Sequence, residues 1–324
     1  MYKSLARLGC AMAAALTLSG AAAQAFPAKP LTLIVPFAPG ASADGIARIV
    51  GRELSAALGQ PVVVDNKPGA GGALGLMMVA KAPADGYTLG LGATGAIAVN
   101  PHLPDAPPLK PQQDLLPLGK LADIPLVFVT SATSGYGNLQ AFIKASRKTP
   151  GGGLSYANAG QYTAQHLSGE LLAHMAGVPM VAVPYRGSGP AVTDLLAGLV
   201  PAAMVDLTSA YPHIKAGKLV SLGITNATRS KVAPELPTIA EEGVTGYAAP
   251  AWMGLFLPAK TPADVRARLS QAMQKAMANP AVQSQIQALA AEPAYLDGPA
   301  FGNFIAVESK KWADVIARIP KPAK

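Results

Sequence analysis

Among the residues whose types could do chemistry, His166, Glu170 and His174 come first. Their i, i+4, i+8 spacing puts them on one face of a helix, an arrangement that invites a metal. At 1.5 Å rise per residue the two histidines lie about 12 Å apart along the axis. One ion cannot take both at about 2 Å, so the set reads as a polar helix face and no metal is expected. Gly90-Leu-Gly92-Ala-Thr-Gly95 matches G-x-G-x-x-G, but it follows a third strand and Pro101 limits any helix after it. A dinucleotide site wants that motif on the first strand, so no cofactor is expected. Gly69-Ala-Gly71-Gly72 has no P-loop lysine behind it, and neither G-x-S-x-G nor H-E-x-x-H occurs.

What remains is a series of short loops rich in small polar residues. Gly40, Ala41 and Ser42 follow one apolar run, and Thr94 and Gly95 end another. Gln161, Tyr162 and Thr163 follow a third. Tyr185, Arg186 and Gly187 follow a fourth, and Asp206 ends a fifth. Their hydroxyls and backbone N–H groups suit a carboxylate, with Arg186 as a charge partner. Asp206 suits a ligand amine or hydroxyl. Asp44 is expected to hold its own loop, because a carboxylate beside a bound anion is repulsive.

These loops need a scaffold that aims them at one place. Leu31–Val35 is a run apolar but for Thr32 that suits a strand covered on both faces. Ser42 is then placed as a helix N-cap, with Ile46, Ile49, Val50 and Leu54 at helical spacing. Pro61–Asp65, a helix from Ala73 to Lys81 and a strand from Tyr87 to Ala93 complete a βαβαβ unit. Right-handed crossovers put the first strand between its two successors. Strands at 154–157, 180–183, 202–205 and 218–225, with helices between them, repeat the pattern, and Pro190 is placed at the first position of a helix at 191–197. The stretch 101–117, with six prolines, reads as an irregular loop. A strand at 252–258 precedes helices at 262–278, 281–290 and 299–318, the first capped by Thr261. In open α/β sheets ligands bind beyond the carboxyl ends of the strands, where the polar loops lie.

Composition bounds the rest. At 324 residues, half of them hydrophobic and 14% charged, the chain is globular and long enough for two cores. Residues 1–25 read as a secretory signal peptide: Lys3 and Arg7, an apolar stretch from Leu8 to Leu18, and Ala23-Gln-Ala25 as cleavage site. Export to the periplasm is expected. The one cysteine, Cys10, lies in that leader, so no disulfide is expected. The formal net charge of +8 falls by two with Lys3 and Arg7. The remaining Lys and Arg are scattered, with no basic stretch interleaved with aromatics, so no nucleic acid is expected. A modest positive field steering an anion fits better.

The ordered motifs carry a resemblance. Leu33-Ile-Val-Pro-Phe-Ala-Pro-Gly40 with Asp44 and Ala47-Arg48 resembles the Bug receptors, the solute-binding proteins of tripartite tricarboxylate transporters. So do Asp65-Asn-Lys-Pro-Gly-Ala-Gly-Gly72, Ala84-Asp-Gly-Tyr-Thr88, Val183-Pro-Tyr-Arg-Gly187 and Ile214-Lys-Ala-Gly-Lys-Leu219. Leu236-Pro-Thr-Ile-Ala-Glu-Glu-Gly243, Trp252-x-Gly-Leu-Phe-x-Pro-Ala259 and Lys311-Trp312 extend it over almost the whole chain. The resemblance implies a type II periplasmic-binding-protein fold, a Venus flytrap of two doubly wound α/β domains. Residues 26–124 with 246–324 would form one domain and 125–245 the other, with hinges near 121–126 and 226–247.

It also implies a monomer that captures a small organic anion and hands it to membrane permease subunits. The ligand loops would be Phe37, Ala38, Gly40, Ala41, Ser42 and Asp44; Thr94 and Gly95; Gln161, Tyr162 and Thr163; Tyr185, Arg186 and Gly187; and Asp206. Two departures bear on the pocket. Ala41 stands where the family has a second glycine, and the bulky Tyr162 stands in a loop the family builds from Gly and Ser. They are expected to narrow it or to change its ligand. A ligand sensor for a signalling partner and an exported α/β hydrolase are the alternative readings.

Overall fold

The computed structural model describes residues 26–318; the expected leader lies outside them. The first βαβαβ unit forms as its apolar pattern predicts. Strand β1 (Leu31–Val35) leads through a short loop into helix α1 (Ser42–Leu58). That helix buries Ile46, Ile49, Val50, Leu54 and Leu58 along one stripe. It stops at Gly59, whose left-handed φ of 70° lets its N–H reach Ser55 O. Strand β2 (Val62–Asn66), helix α2 (Ala73–Lys81) and strand β3 (Thr88–Ala93) follow. β1 pairs in parallel with both β2 and β3, the order expected from right-handed crossovers.

The other strands of this lobe are antiparallel additions. The 101–117 stretch is less irregular than its prolines suggest: β4 (Leu115–Ile124) runs through Pro117. The chain then crosses at Pro125 to β5 (Leu126–Ser131) in a second sheet. Helix α3 (Leu139–Lys148), β6 (Leu154–Asn158), α4 (Ala164–Ala176), β7 (Met180–Pro184) and α5 (Ser188–Leu196) build the second lobe. β8 (Ala202–Asp206), α6 (Leu207–Lys215) and β9 (Leu219–Ile224) complete it. After a long return, β10 (Ala251–Pro258) enters the first sheet between β3 and β4. Helices α7 (Ala263–Ala278) and α8 (Pro280–Ala288), strand β11 (Glu292–Asp297) and helix α9 (Gly298–Arg318) end the fold.

The sheets run β11-β4-β10-β3-β1-β2 and β7-β6-β8-β5-β9. Each holds a parallel trio flanked by antiparallel strands, so each lobe is a mixed sheet covered by helices: the two-domain Venus-flytrap architecture.

Three local expectations are corrected. α5 begins at Ser188, putting Pro190 at its third position, because Gly187 is free to take φ 124° at the N-cap. The N-cap of α7 is Pro262; the Thr261 hydroxyl donates to Pro258 O instead. β11 has no strand signature of its own. Its Glu292, Pro293, Leu296 and Asp297 take their extended form from pairing with β4 across an irregular register.

The first lobe is anchored by an aromatic group. Phe301 of α9 is fully buried, with its ring centroid 5.3 Å from Trp252 and 5.4 Å from Phe256. It sits over Gly254, where an added Cβ would come within 2.4 Å of the ring. Phe301→Ala is expected to cost about 3–5 kcal/mol, read as a lower urea midpoint with the slope unchanged.

Candidate functional site

The carboxyl ends of β1, β3, β6, β7 and β8 meet between the lobes. An inner pocket of about 30 Å³ lies there, room for about two waters and so the scale of one carboxylate group. The first lobe lines it with Phe37, Ala41, Ser42, Thr94 and Gly95 and the second with Thr163, Gly187, Ser188 and Asp206, among others. An outer chamber of about 610 Å³ adjoins it, lined by Phe37, Ala38, the Pro68–Gly72 turn, Gln161, Thr163, Tyr185 and Arg186.

Four helices begin at this cleft: α1 at Ser42, α4 at Ala164, α5 at Ser188 and α6 at Leu207. Helix N-termini present unpaired N–H groups and partial positive charge. No lysine or arginine lines the inner pocket; its charged side chain is Asp206, buried at 2% exposure. The arrangement can hold an anion by dipoles and hydroxyls. Its hydroxyls have no imidazole among the lining residues to activate them.

Each expected residue has a definite place. Ser42 is not an N-cap: Ala41 is, with no side-chain cap, and Ser42 is the first helical residue. The Ser42 hydroxyl donates 2.9 Å across the lobes to Asp206 Oδ2. Asp206 Oδ1 accepts from Ser209 N and caps α6, while Asp206 N donates to Ser188 Oγ. The Thr94 hydroxyl is already paired within its own lobe, accepting from Trp252 N at 2.8 Å. The Thr163 hydroxyl donates to Gly160 O and accepts from His166 N. Arg186 stands on the outer chamber, not beside the inner pocket. The Tyr185 hydroxyl is drawn to Asp194 at 2.8 Å.

Asp44 holds its loop, as expected. It accepts from Gly40 N, Arg48 and Asn66. Burial works to raise its carboxyl, but the hydrogen bonds from Arg48, Asn66 and Gly40 outweigh it and keep it below the ordinary carboxylate value.

The two departures take different places. Ala41 has extended backbone (φ −78°), so its methyl costs no strain and does line the inner pocket. Tyr162 does not fill the pocket. Its backbone is left-handed (φ 64°), its N–H donates to His166 Nδ1, and its ring packs on the His166 ring at 6.2 Å. Sequence reasoning missed Gly71, Ser188 and Trp252. Ser188 was legible as the residue after a glycine at a helix start. Trp252 arrives from a distant strand and had no local signal.

A bilobed scaffold with strand-end loops converging on a hydroxyl-lined cleft is that of a solute-binding protein. The match to the family model "Tripartite tricarboxylate transporter family receptor" spans residues 46–320. The chain belongs to that family, and it is a solute-binding receptor. It is 39% identical to the "UPF0065 protein in tcbD-tcbE intergenic region" of Pseudomonas sp. (strain P51), over 96% of this chain and 93% of that one. It is 37% identical to Protein BugT of Bordetella pertussis, over 98% and 97%. Among solved structures it superposes on the periplasmic binding protein BugD (31% identity, TM-score 0.84, covering 91% of this chain and 98% of that one). It also superposes on Rpa4515 of R. palustris with adipate (30%, TM-score 0.85, 91% and 98%) and on MatC of Rhodopseudomonas palustris with bound malate (30%, TM-score 0.83, 90% and 100%).

His166 supports the second-lobe loop and gives a test. Burial pushes its pKa from 6.5 down to about 4. Between those values the unfolded chain binds more protons than the folded one, so stability rises with pH there. As pH falls from about 6.5 towards about 4, the neutral-His contribution is lost. Glu170 lies beside it, its carboxyl raised by burial against a hydrogen bond from Tyr156. The difference between wild type and His166→Gln isolates the imidazole. Urea unfolding at several pH values should show the gap between the two shrinking as pH falls through that window.

Proposed function

We propose that this chain is exported, cleaved after Ala25, and works in the periplasm as a monomeric receptor for a small carboxylate. The carboxylate enters the inner pocket, where the Ser188 hydroxyl and the helix N-termini face it. The remainder extends into the outer chamber past Phe37, Tyr185 and Arg186. The observation that carries this reading is the pairing of a carboxylate-sized pocket without cationic side chains with a larger chamber that has Arg186 on its wall. Residues 26–124 with 246–324 and residues 125–245 move as the two lobes, bending near 121–126 and 226–247, and the closed form is passed to the permease subunits of a tripartite transporter. Similar structures bound to adipate and malate support a dicarboxylate; a tricarboxylate, an aromatic acid or an amino acid is the alternative ligand class. No turnover is part of this role, and generic ester substrates should remain intact.

The test is a thermal-shift screen of residues 26–324 against mono-, di- and tricarboxylates, aromatic acids and amino acids, after unfolding and refolding. A ligand at 100 times its Kd should add about 2.7 kcal/mol, a shift of several degrees. Ser42→Ala, which removes the donor to Asp206 across the lobes, should weaken a hit about tenfold, the loss of one hydrogen bond to a charged group made when the lobes are together. A blank across the library after refolding would count against carboxylate capture.

A further inference from the structure

Two glycines of the first lobe stand against the Gln161–Thr163 loop of the second. A Cβ built on Gly95 would lie 2.5 Å from Tyr162 O and 3.0 Å from Thr163 Cα. A Cβ on Gly71 would lie 2.7 Å from Gln161 O. Real Cβ atoms do not approach that closely, so the lobes can meet here because both positions lack one.

Asn100 adds an attraction at the same point. It is buried and closes the π-helical turn Gly95–Val99, its N–H reaching Gly95 O. With its amide turned so that the NH₂ faces the two carbonyls, Nδ2 lies 3.3 Å from Tyr162 O and 3.2 Å from Gly95 O. The Tyr162 carbonyl is presented by that residue's left-handed backbone, which His166 Nδ1 holds by accepting the Tyr162 N–H at 3.2 Å. Ser42 and Asp206 make a second bond across the same boundary. All of these are contacts between protein groups, and no solute atom takes part in them.

We propose that Gly71, Gly95 and Asn100 form a seat for the Gln161–Thr163 backbone that favours the closed form by itself. Asn100 is then a positioning residue for a loop that lines the solute chamber. Closure is a two-state equilibrium biased by whatever contacts differ between the states, and the seat exists in one state only. It therefore shares with the solute the setting of apparent affinity: the larger the closed fraction, the smaller the loss from pre-organising the site. The proposal rests on the two-lobe receptor reading but not on the identity of the solute.

Gly95→Ala is the clean probe. Gly95 does not need a positive φ, so alanine suits its own turn, and the nearest atoms its methyl meets belong to the other lobe. Small-angle X-ray scattering is measured on wild type and variant, refolded from denaturant to strip carried-over solute, with none added. Wild type should scatter as the closed shape. Gly95→Ala should show a larger radius of gyration with its melting temperature within a few degrees of wild type. Asn100→Ala, which deletes the amide and adds no bulk, should open the shape in the same sense and serves if Gly95→Ala does not fold. An open wild type, or a folded variant that keeps the wild-type radius, would overturn the seat. Because no solute is added, a failed ligand screen leaves this result standing.

Discussion

The hydrogen bond from Ser42 to Asp206 joins residues 164 positions apart and marks the constraint that organises the molecule. Two lobes, each with its own sheet, must bring strand ends and helix starts into one small volume in which the charged side chain, Asp206, is held by hydrogen bonds of its own. A buried lysine or arginine would have to be desolvated whenever the cleft closed. Backbone N–H groups and hydroxyls carry no such penalty, and helix dipoles concentrate their effect. The inner wall is accordingly mostly alanine, glycine, serine and threonine, and the chamber's arginine stands outside it.

The acidic groups follow the same logic. Asp44 lies one turn into α1, where its charge would oppose an anion. Arg48, Asn66 and the Gly40 N–H take it up and turn it into its own loop. Asp206 remains at the pocket but is engaged on both oxygens, by Ser209 N and by Ser42. The chain's overall positive charge acts at a different range. Scattered surface lysines and arginines raise the local concentration of anions, while the pocket discriminates at contact.

α2 spans Ala73–Lys81, and β1 spans Leu31–Val35 between β2 and β3, where apolar period and crossover hand place them. β11 could not be found, because Glu292–Asp297 is extended by its pairing with β4 and not by its own composition. Side-chain roles were harder still. Thr94, Thr163 and Ser42 all read as hydroxyls for a ligand. Two of them prove to be already paired within their own lobe, and the third reaches across to Asp206. Tyr162 read as bulk in the pocket and turns away onto His166.

By itself the sequence determined the kind of protein: a two-lobe α/β receptor whose polar loops fall at strand ends. Periodicity, turn chemistry and motif order are local properties, and short-range sterics and burial decide them. Which hydroxyls face the pocket, where Arg186 stands, and how closely the lobes meet at Gly71 and Gly95 were decided only by tertiary structure. These depend on distances between atoms far apart in the chain, and a rotation of one lobe by a few degrees would change them while every strand and helix kept its place.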